Sequence, residues 1–312
     1  MRTIFHLLFS ILLLPAHAAE ITSNGLGGGA WSDPNTWKGK IIPSATDGAV
    51  IAARDTVTFD RDDSDKASCK TLSIDPTGSL VFQTGHGKRS MGVQGPIETY
   101  GCIKMDASTV ANDMMELRLI SEVPEEHAIR LLRNSSILVS GRQALPDDRR
   151  NATISSFHPT TKAAILGVIS GEARSMIDIQ RAHLADIQIS GVSIDNTGSK
   201  PNERLNLVEN HFTGLARIVL NGCDTPIISK NTFVSPKDVL VPAAAMNLYF
   251  CPLADIKDNT IAGQYSYGIQ VYGESSASGN KIAKCTIGLY WYGGLGMIKK
   301  NTVSECDTGI DL

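Results

Sequence analysis

The chain has 312 residues, 29 Lys and Arg against 32 Asp and Glu, and a formal charge of −3. This slightly acidic balance gives no support for a nucleic-acid or anionic-membrane partner, both of which favour clustered Lys and Arg. The length fits two ordinary domains or one elongated repeat structure.

Residues 1–18, beginning Met1-Arg2, carry one basic residue, an apolar run from Ile4 to Leu14, and the small-residue motif Ala16-His17-Ala18. That is the layout of a secretory signal peptide with cleavage after Ala18. The run is too short for a membrane anchor, which takes about 20 apolar residues, and no later segment is long and apolar enough to span a bilayer. The expected location is therefore secreted, periplasmic or at the cell surface. The six cysteines, Cys69, Cys102, Cys223, Cys251, Cys285 and Cys306, then enter an oxidising compartment where pairing is permitted. None forms a C-x-x-C, so a structural zinc site is not expected. No close cluster of Asp suggests calcium turns, and neither a metal nor a cofactor is expected.

From Gly25 to about Gly141 the residues read as short strands broken by Gly, Pro and Asp, as in Asp47-Gly-Ala-Val-Ile51, Leu72-Ser-Ile74 and Gly78-Ser-Leu-Val-Phe82. The Gly25–Gly29 tract lacks the strand, helix and Lys-Ser/Thr of a phosphate loop. Glu116–Ile120 and Pro124–Leu132 are ambiguous between strand and helix. The charged, turn-rich stretch from Arg142 to Asn151 is the expected boundary, giving a leading β domain over 19–145 and a repeat region over 146–312.

In the second half Asn recurs at 210, 231, 259, 280 and 301, at intervals of 21, 28, 21 and 21 residues, each followed two places on by Phe212, Phe233, Ile261, Ile282 or Val303. A fixed period of this length marks a repeat architecture. The units hold period-2 stretches such as Gly268-Ile-Gln-Val-Tyr272, with no sustained helical spacing. About 21 residues suffice for one coil of short strands at roughly 3.3 Å per residue, and coils stacked at about 4.8 Å put equivalent residues above one another. Helical repeats have a different period and spacing. The spacing thus predicts an all-β chain whose second half is a right-handed parallel β-helix, with the Asn ladder at one bend, where Asn tolerates left-handed angles and its amide bonds neighbours. The longer step falls in 235–245, an expected loop insertion.

Aligning the repeats places Leu220, Leu248, Ile269, Leu289 and Ile310 inward. Asn221, Tyr249, Gln270, Tyr290 and Asp311 fall at the adjacent outward position. Gly222, Phe250, Val271, Trp291 and Leu312 come next, followed by Cys223, Cys251, Tyr272 and Tyr292. Tyr rings hold sugars by stacking while amides and carboxylates meet hydroxyls, so Tyr249, Gln270, Tyr272, Tyr290 and Tyr292 are the candidate carbohydrate-binding residues. The other reading is that these rings cover a sheet surface or pack under the inserted loop. Cys223 and Cys251 share one register, as do Cys285 and Cys306; disulfides or unpaired thiol ladders both fit, with the strain of bridging in-register strands favouring thiols.

The order Trp31-Ser-Asp-Pro-Asn-Thr-Trp37, Pro43, Asp47-x-x-Val50, Val57-x-x-Asp60, Leu72-x-Ile74 and Gly78-x-Leu80 resembles a G8 domain, an extracellular β module found ahead of β-helix repeats in secreted and cell-surface proteins. The likeness spans roughly 30–141. The repeat half resembles the pectin-lyase-like β-helix family, which includes polysaccharide lyases, glycoside hydrolases, epimerases and non-catalytic proteins. The resemblance implies an extracellular polysaccharide partner.

Catalysis on such a scaffold needs carboxylates or bases grouped on one outer sheet. The candidates are His211, Asp224 and Asp311, with Asp195, Glu209, His183 and Asp186 in or beside the coils; for each, the residue type favours a solvated bend position over a catalytic one. The His-x-His and Asp-Gly-x-Glu-like segments of hyaluronan-depolymerising G8 relatives are missing, so their catalytic residues do not carry over. The residues leave open a glycan-active enzyme, a lyase or hydrolase, and a non-catalytic binding, surface-structural or adhesion protein. The chain stops inside a strand at Gly309–Leu312 without a polar cap, so a longer protein is expected.

Overall fold

Alternating apolar and polar residues make short strands throughout a computed structural model of the chain. The structure describes residues 19–110, 112–142, 151–172, 174–190, 204–223, 225–236, 241–294 and 296–312. The expected signal peptide, most of the expected boundary stretch, Asp195 and Asp224 lie outside these residues.

Three sheets, of 12, 11 and 9 strands, run the length of the molecule. Every strand pairing within them is parallel, and the chain visits the sheets in turn before stacking on its previous coil, the arrangement of a parallel β-helix. Sheet one contains Arg217–Asn221, Val241–Tyr249, Tyr265–Tyr272, Ile287–Tyr292 and Thr308–Asp311 as its last strands. Sheet two ends with Ala254–Lys257, Ser275–Ser278 and Met297–Lys299, and sheet three with Thr260–Ala262, Lys281–Ala283 and Thr302–Ser304.

The leading half belongs to the same three sheets. Across the expected boundary, Met115–Leu119 pair with Ala152–Ser156, Ala128–Leu131 with Val168–Gly171, and Ser136–Ser140 with Met176–Gln180. The ambiguous segments resolve as strands Met114–Leu119 and Ala128–Leu131, separated by a short 3-10 turn at Pro124–Glu126.

Inward side chains fill the space between the sheets as columns. Sheet one supplies Ile218, Met246, Ile269 and Leu289; sheet two supplies Ile228 and Ile256; sheet three supplies Phe212, Phe233, Ile261 and Ile282, all buried. The rings of Phe212 and Phe233 lie 4.3 Å apart and nearly parallel. Fully burying such a side chain contributes roughly 1.5 to 3 kcal/mol. In the leading coils Trp31, Trp37, Phe59 and Phe82 form a continuous buried aromatic group.

The Asn ladder is present, though its chemistry differs from the expected one. Each Asn Oδ1 accepts the backbone N–H of the preceding Asn, from Asn210 on Asn231 (3.0 Å) to Asn280 on Asn301 (3.0 Å). Each Nδ2 donates to a carbonyl of the coil before: Ile179, Leu207, Ile228, Ile256 and Ala277. The left-handed backbone belongs to the residue just ahead of the ladder: Glu209, Lys230, Asp258, Gly279 and Lys300. That residue turns the corner, which leaves the Asn free to clamp two coils together.

Candidate functional site

The outward columns of sheet one differ from the simple alignment by two residues. Asn221, Tyr249, Tyr272 and Tyr292 form one column, while Val219, Asn247, Gln270, Tyr290 and Asp311 form the next. Tyr249 therefore sits beside Tyr272, not Gln270. The inward columns shift likewise, so that Leu220 and Leu248 align with Val271 and Trp291, while Phe250 is 69% exposed in a bend. The cause is the length of the bend into sheet two: four residues separate Tyr249 from Ala254, but two separate Tyr272 from Ser275, the partner of Ala254.

This register gathers five tyrosines on adjoining coils. Tyr249 stacks on Tyr272 with centroids 4.8 Å apart and planes within 14°. Tyr272 touches Tyr290 at 5.8 Å and Tyr292 at 6.0 Å, and Tyr290 meets Tyr267 edge-on at 5.7 Å. Amides fix two of the rings: Asn247 Nδ2 donates to the Tyr249 hydroxyl (3.0 Å) and Gln270 Nε2 to that of Tyr272 (2.9 Å). Partial burial, reinforced by the neighbouring phenols of Tyr290, Tyr249 and Tyr267, raises the Tyr272 pKa. Tyr292 is 65% exposed at the edge of the cluster.

Beside the rings lies an open cleft of about 350 Å³, lined by Arg217, Ala244, Asn247, Ser266, Tyr267 and Gln270 among others. Arg217, Asn247 and Tyr267 were not picked out by the sequence reading. Tyr267, immediately before the recurring Gly268-Ile269 pair, was the signal available. The Gly is itself required, since a Cβ at Gly268 would lie 2.6 Å from the Gly288 carbonyl oxygen on the next coil.

The catalytic candidates do not converge. His211 lies on sheet three against His183, with ring centroids 5.6 Å apart, and His183 Nε2 is 2.8 Å from Thr213 Oγ1. Asp311 is exposed, in register with Tyr290 on sheet one. Asp186 accepts the Leu215 N–H at 2.8 Å, and burial raises its pKa. Glu209 is paired with Arg181 at 2.8 Å and Lys230 at 3.4 Å, and the Arg181 hydrogen bond holds its pKa low. Asp224 lies outside the described residues. Among the described residues no group of three or more His, Cys, Asp or Glu could hold a metal ion, and no helix is long and apolar enough to cross a membrane.

All six cysteines are free thiols. Cys223 hydrogen-bonds Cys251, which lowers the Cys251 pKa; burial, with Cys306 alongside, pushes Cys285 up to about 12. Both same-register pairs are thus neighbours. No family model matches this chain, and no curated protein or solved structure matches it either.

Proposed function

We propose that this chain is an extracellular polysaccharide-binding protein that uses the tyrosine surface of sheet one to hold an extended glycan without turnover. The observation that carries this reading is the five-tyrosine cluster on an outward face, with two hydroxyls anchored by Asn247 and Gln270. Rings fixed in this way offer flat apolar faces with little conformational entropy left to lose on binding, and the polar atoms around them meet sugar hydroxyls. The scattering of His211 and Asp311 over separate sheets favours binding over catalysis. In this reading residues 1–18 direct export, the G8-like order of residues 30–141 opens the solenoid, and the coils wind right-handed, the hand of nearly all parallel crossovers.

The test is retention on a panel of immobilised uronic-acid and neutral polysaccharides. Replacing both Tyr290 and Tyr292 with Ala removes two stacking faces worth about 0.5 to 1.5 kcal/mol each. Binding is expected to weaken by roughly one to two powers of ten, with no new reducing ends or unsaturated products from the parent protein. Unchanged retention together with a large loss of thermal stability would show that the rings are packing; steady release of product would show an enzyme.

A further inference from the structure

Arg217 is a half-buried charge with an unusual set of partners. It stands on the outward side of strand Arg217–Asn221, where its Nε donates to Gln188 Oε1 at 2.6 Å, and Gln188 is itself tied to Ser190 Oγ at 2.7 Å. The bond fixes the direction of the guanidinium, and among the described residues its two Nη groups have no hydrogen-bond or carboxylate partner. Among the described residues the cleft it lines contains no Asp or Glu. Charges withdrawn from water are normally paired, and partial burial already disfavours this one, lowering the Arg217 pKa. An oriented fork in an open cleft, its Nη donors without a partner among the described residues, matches the planar, two-oxygen geometry of an anionic group. The same cleft is lined by Tyr267, whose ring meets Tyr290, so anything seated there is continuous with the tyrosine surface.

We propose that the cleft at Arg217 is an anion-anchoring subsite, and that the glycan held by this protein carries acidic groups, each seated as a carboxylate or sulfate on the Arg217 fork while a neighbouring sugar lies against Tyr267 and Tyr290. The glycan part rests on the polysaccharide reading above; the anion seat stands on the cleft itself.

Two measurements separate these parts. In the first, the arginine Nε–Hε resonances of the intact protein are followed by NMR at constant ionic strength while sodium glucuronate or sodium sulfate is added, with Arg217→Gln supplying the assignment. A saturable shift of the Arg217 signal is expected, and its ranking between the two salts tells carboxylate from sulfate. No saturable shift with either salt overturns the anion seat.

In the second, retention on polygalacturonate, dextran sulfate and uncharged dextran is compared for the parent, Arg217→Gln and Arg217→Lys. Losing the paired charge-assisted bonds predicts about a tenfold weakening toward the acidic polymer for Gln, a smaller one for Lys, and no change toward dextran. Equal weakening toward dextran would assign Arg217 a structural role and overturn the proposal. If Tyr290→Ala with Tyr292→Ala leaves retention unchanged while the Arg217 resonance still saturates, the polysaccharide reading fails and the anion seat survives.

Discussion

The last five coils and the leading coils build the same three sheets by different means. From Asn210 onward, one residue type at one bend joins each coil to the one before it through a buried side-chain amide. Among the described residues the leading coils have no such ladder, and their loops are fixed individually by buried charges. Asp55 accepts the N–H groups of Gly25 and Gly27, and Asp113 those of Gly85 and Gly87, each closing a Gly-x-Gly loop from an earlier coil. Arg118 donates to the carbonyls of Asp63, Ser64 and Lys66, fixing a loop more than fifty residues away. A repeated amide needs the same bend in every coil, with extra residues looped out elsewhere as between Asn231 and Asn259, whereas charges placed singly suit bends that differ from coil to coil. The difference predicts that the leading coils fail at single points and the last coils lose stability in smaller steps, rung by rung, each set by the burial of its Asn.

The largest effect is expected at Arg118. Replacing it with Met keeps most of the side-chain volume but leaves three carbonyls without their cationic donor, and a loss of about 3 kcal/mol is expected. Urea unfolding measures it, and limited proteolysis should show new cleavage within 61–68. A loss below 1 kcal/mol would mean that the loop is held by the bridges of Asp62 to Ser90 and Cys69 to Val93.

Next comes the ladder. Asn259 is fully buried, receives the Asn231 N–H at 2.9 Å and donates to Ile228 O at 2.8 Å. Asn259→Ala is expected to cost about 2 kcal/mol, because two backbone groups lose their partners. Asn301 makes equivalent bonds at a half-exposed position, where water substitutes, and Asn301→Ala should cost less than about 1 kcal/mol. Equal losses at the two positions would sink the view that burial sets the value of each rung.

The same contrast explains what the sequence disclosed. Outside the one longer step from Asn231 to Asn259 the spacing is constant and equivalent residues recur, so the coil stack was legible from Asn210 to Asn301 and the inward-outward alternation with it. In the leading half the register steps run from 23 residues, between Gly48 and Thr71, to 40, between Ala128 and Val168. No period survives that variation, and the region reads as strands and turns without a common axis. The tyrosine site was visible as residue types but not as neighbours. A two-residue difference in one bend moved Tyr249 from Gln270 to Tyr272, and bend length is set by local backbone conformation that alternation does not encode. The role of Arg217 is not encoded locally, because it depends on Gln188 one coil below and on the cleft above it.

The smallest effect at neutral pH is expected at His127, in the leading coils. This buried imidazole sits where the chain leaves the short turn Pro124–Glu126 for sheet one; its Nδ1 lies 2.6 Å from Ser156 Oγ and its Nε2 2.8 Å from Ser121 O. Burial lowers its pKa below the ordinary 6.5; the Ser121 carbonyl and Glu126 work against that shift, and His158 adds to it. The fold thus favours the neutral ring, while the unfolded chain binds a proton more readily. Stability from this site is complete above the unfolded pKa and is lost as pH falls from there through the folded pKa, levelling off below it. Thermal unfolding followed between pH 7.5 and 4.5 should show this decline, and His127→Gln, which keeps a polar amide near Ser121 and Ser156, should remove it while carboxylate titrations persist at lower pH. If the variant and parent decline in parallel between pH 6.5 and 5, the ring does not titrate with folding, and the turn is held by the Ser121 Oγ bond to Glu126 Oε2, 2.6 Å long, without a contribution from His127.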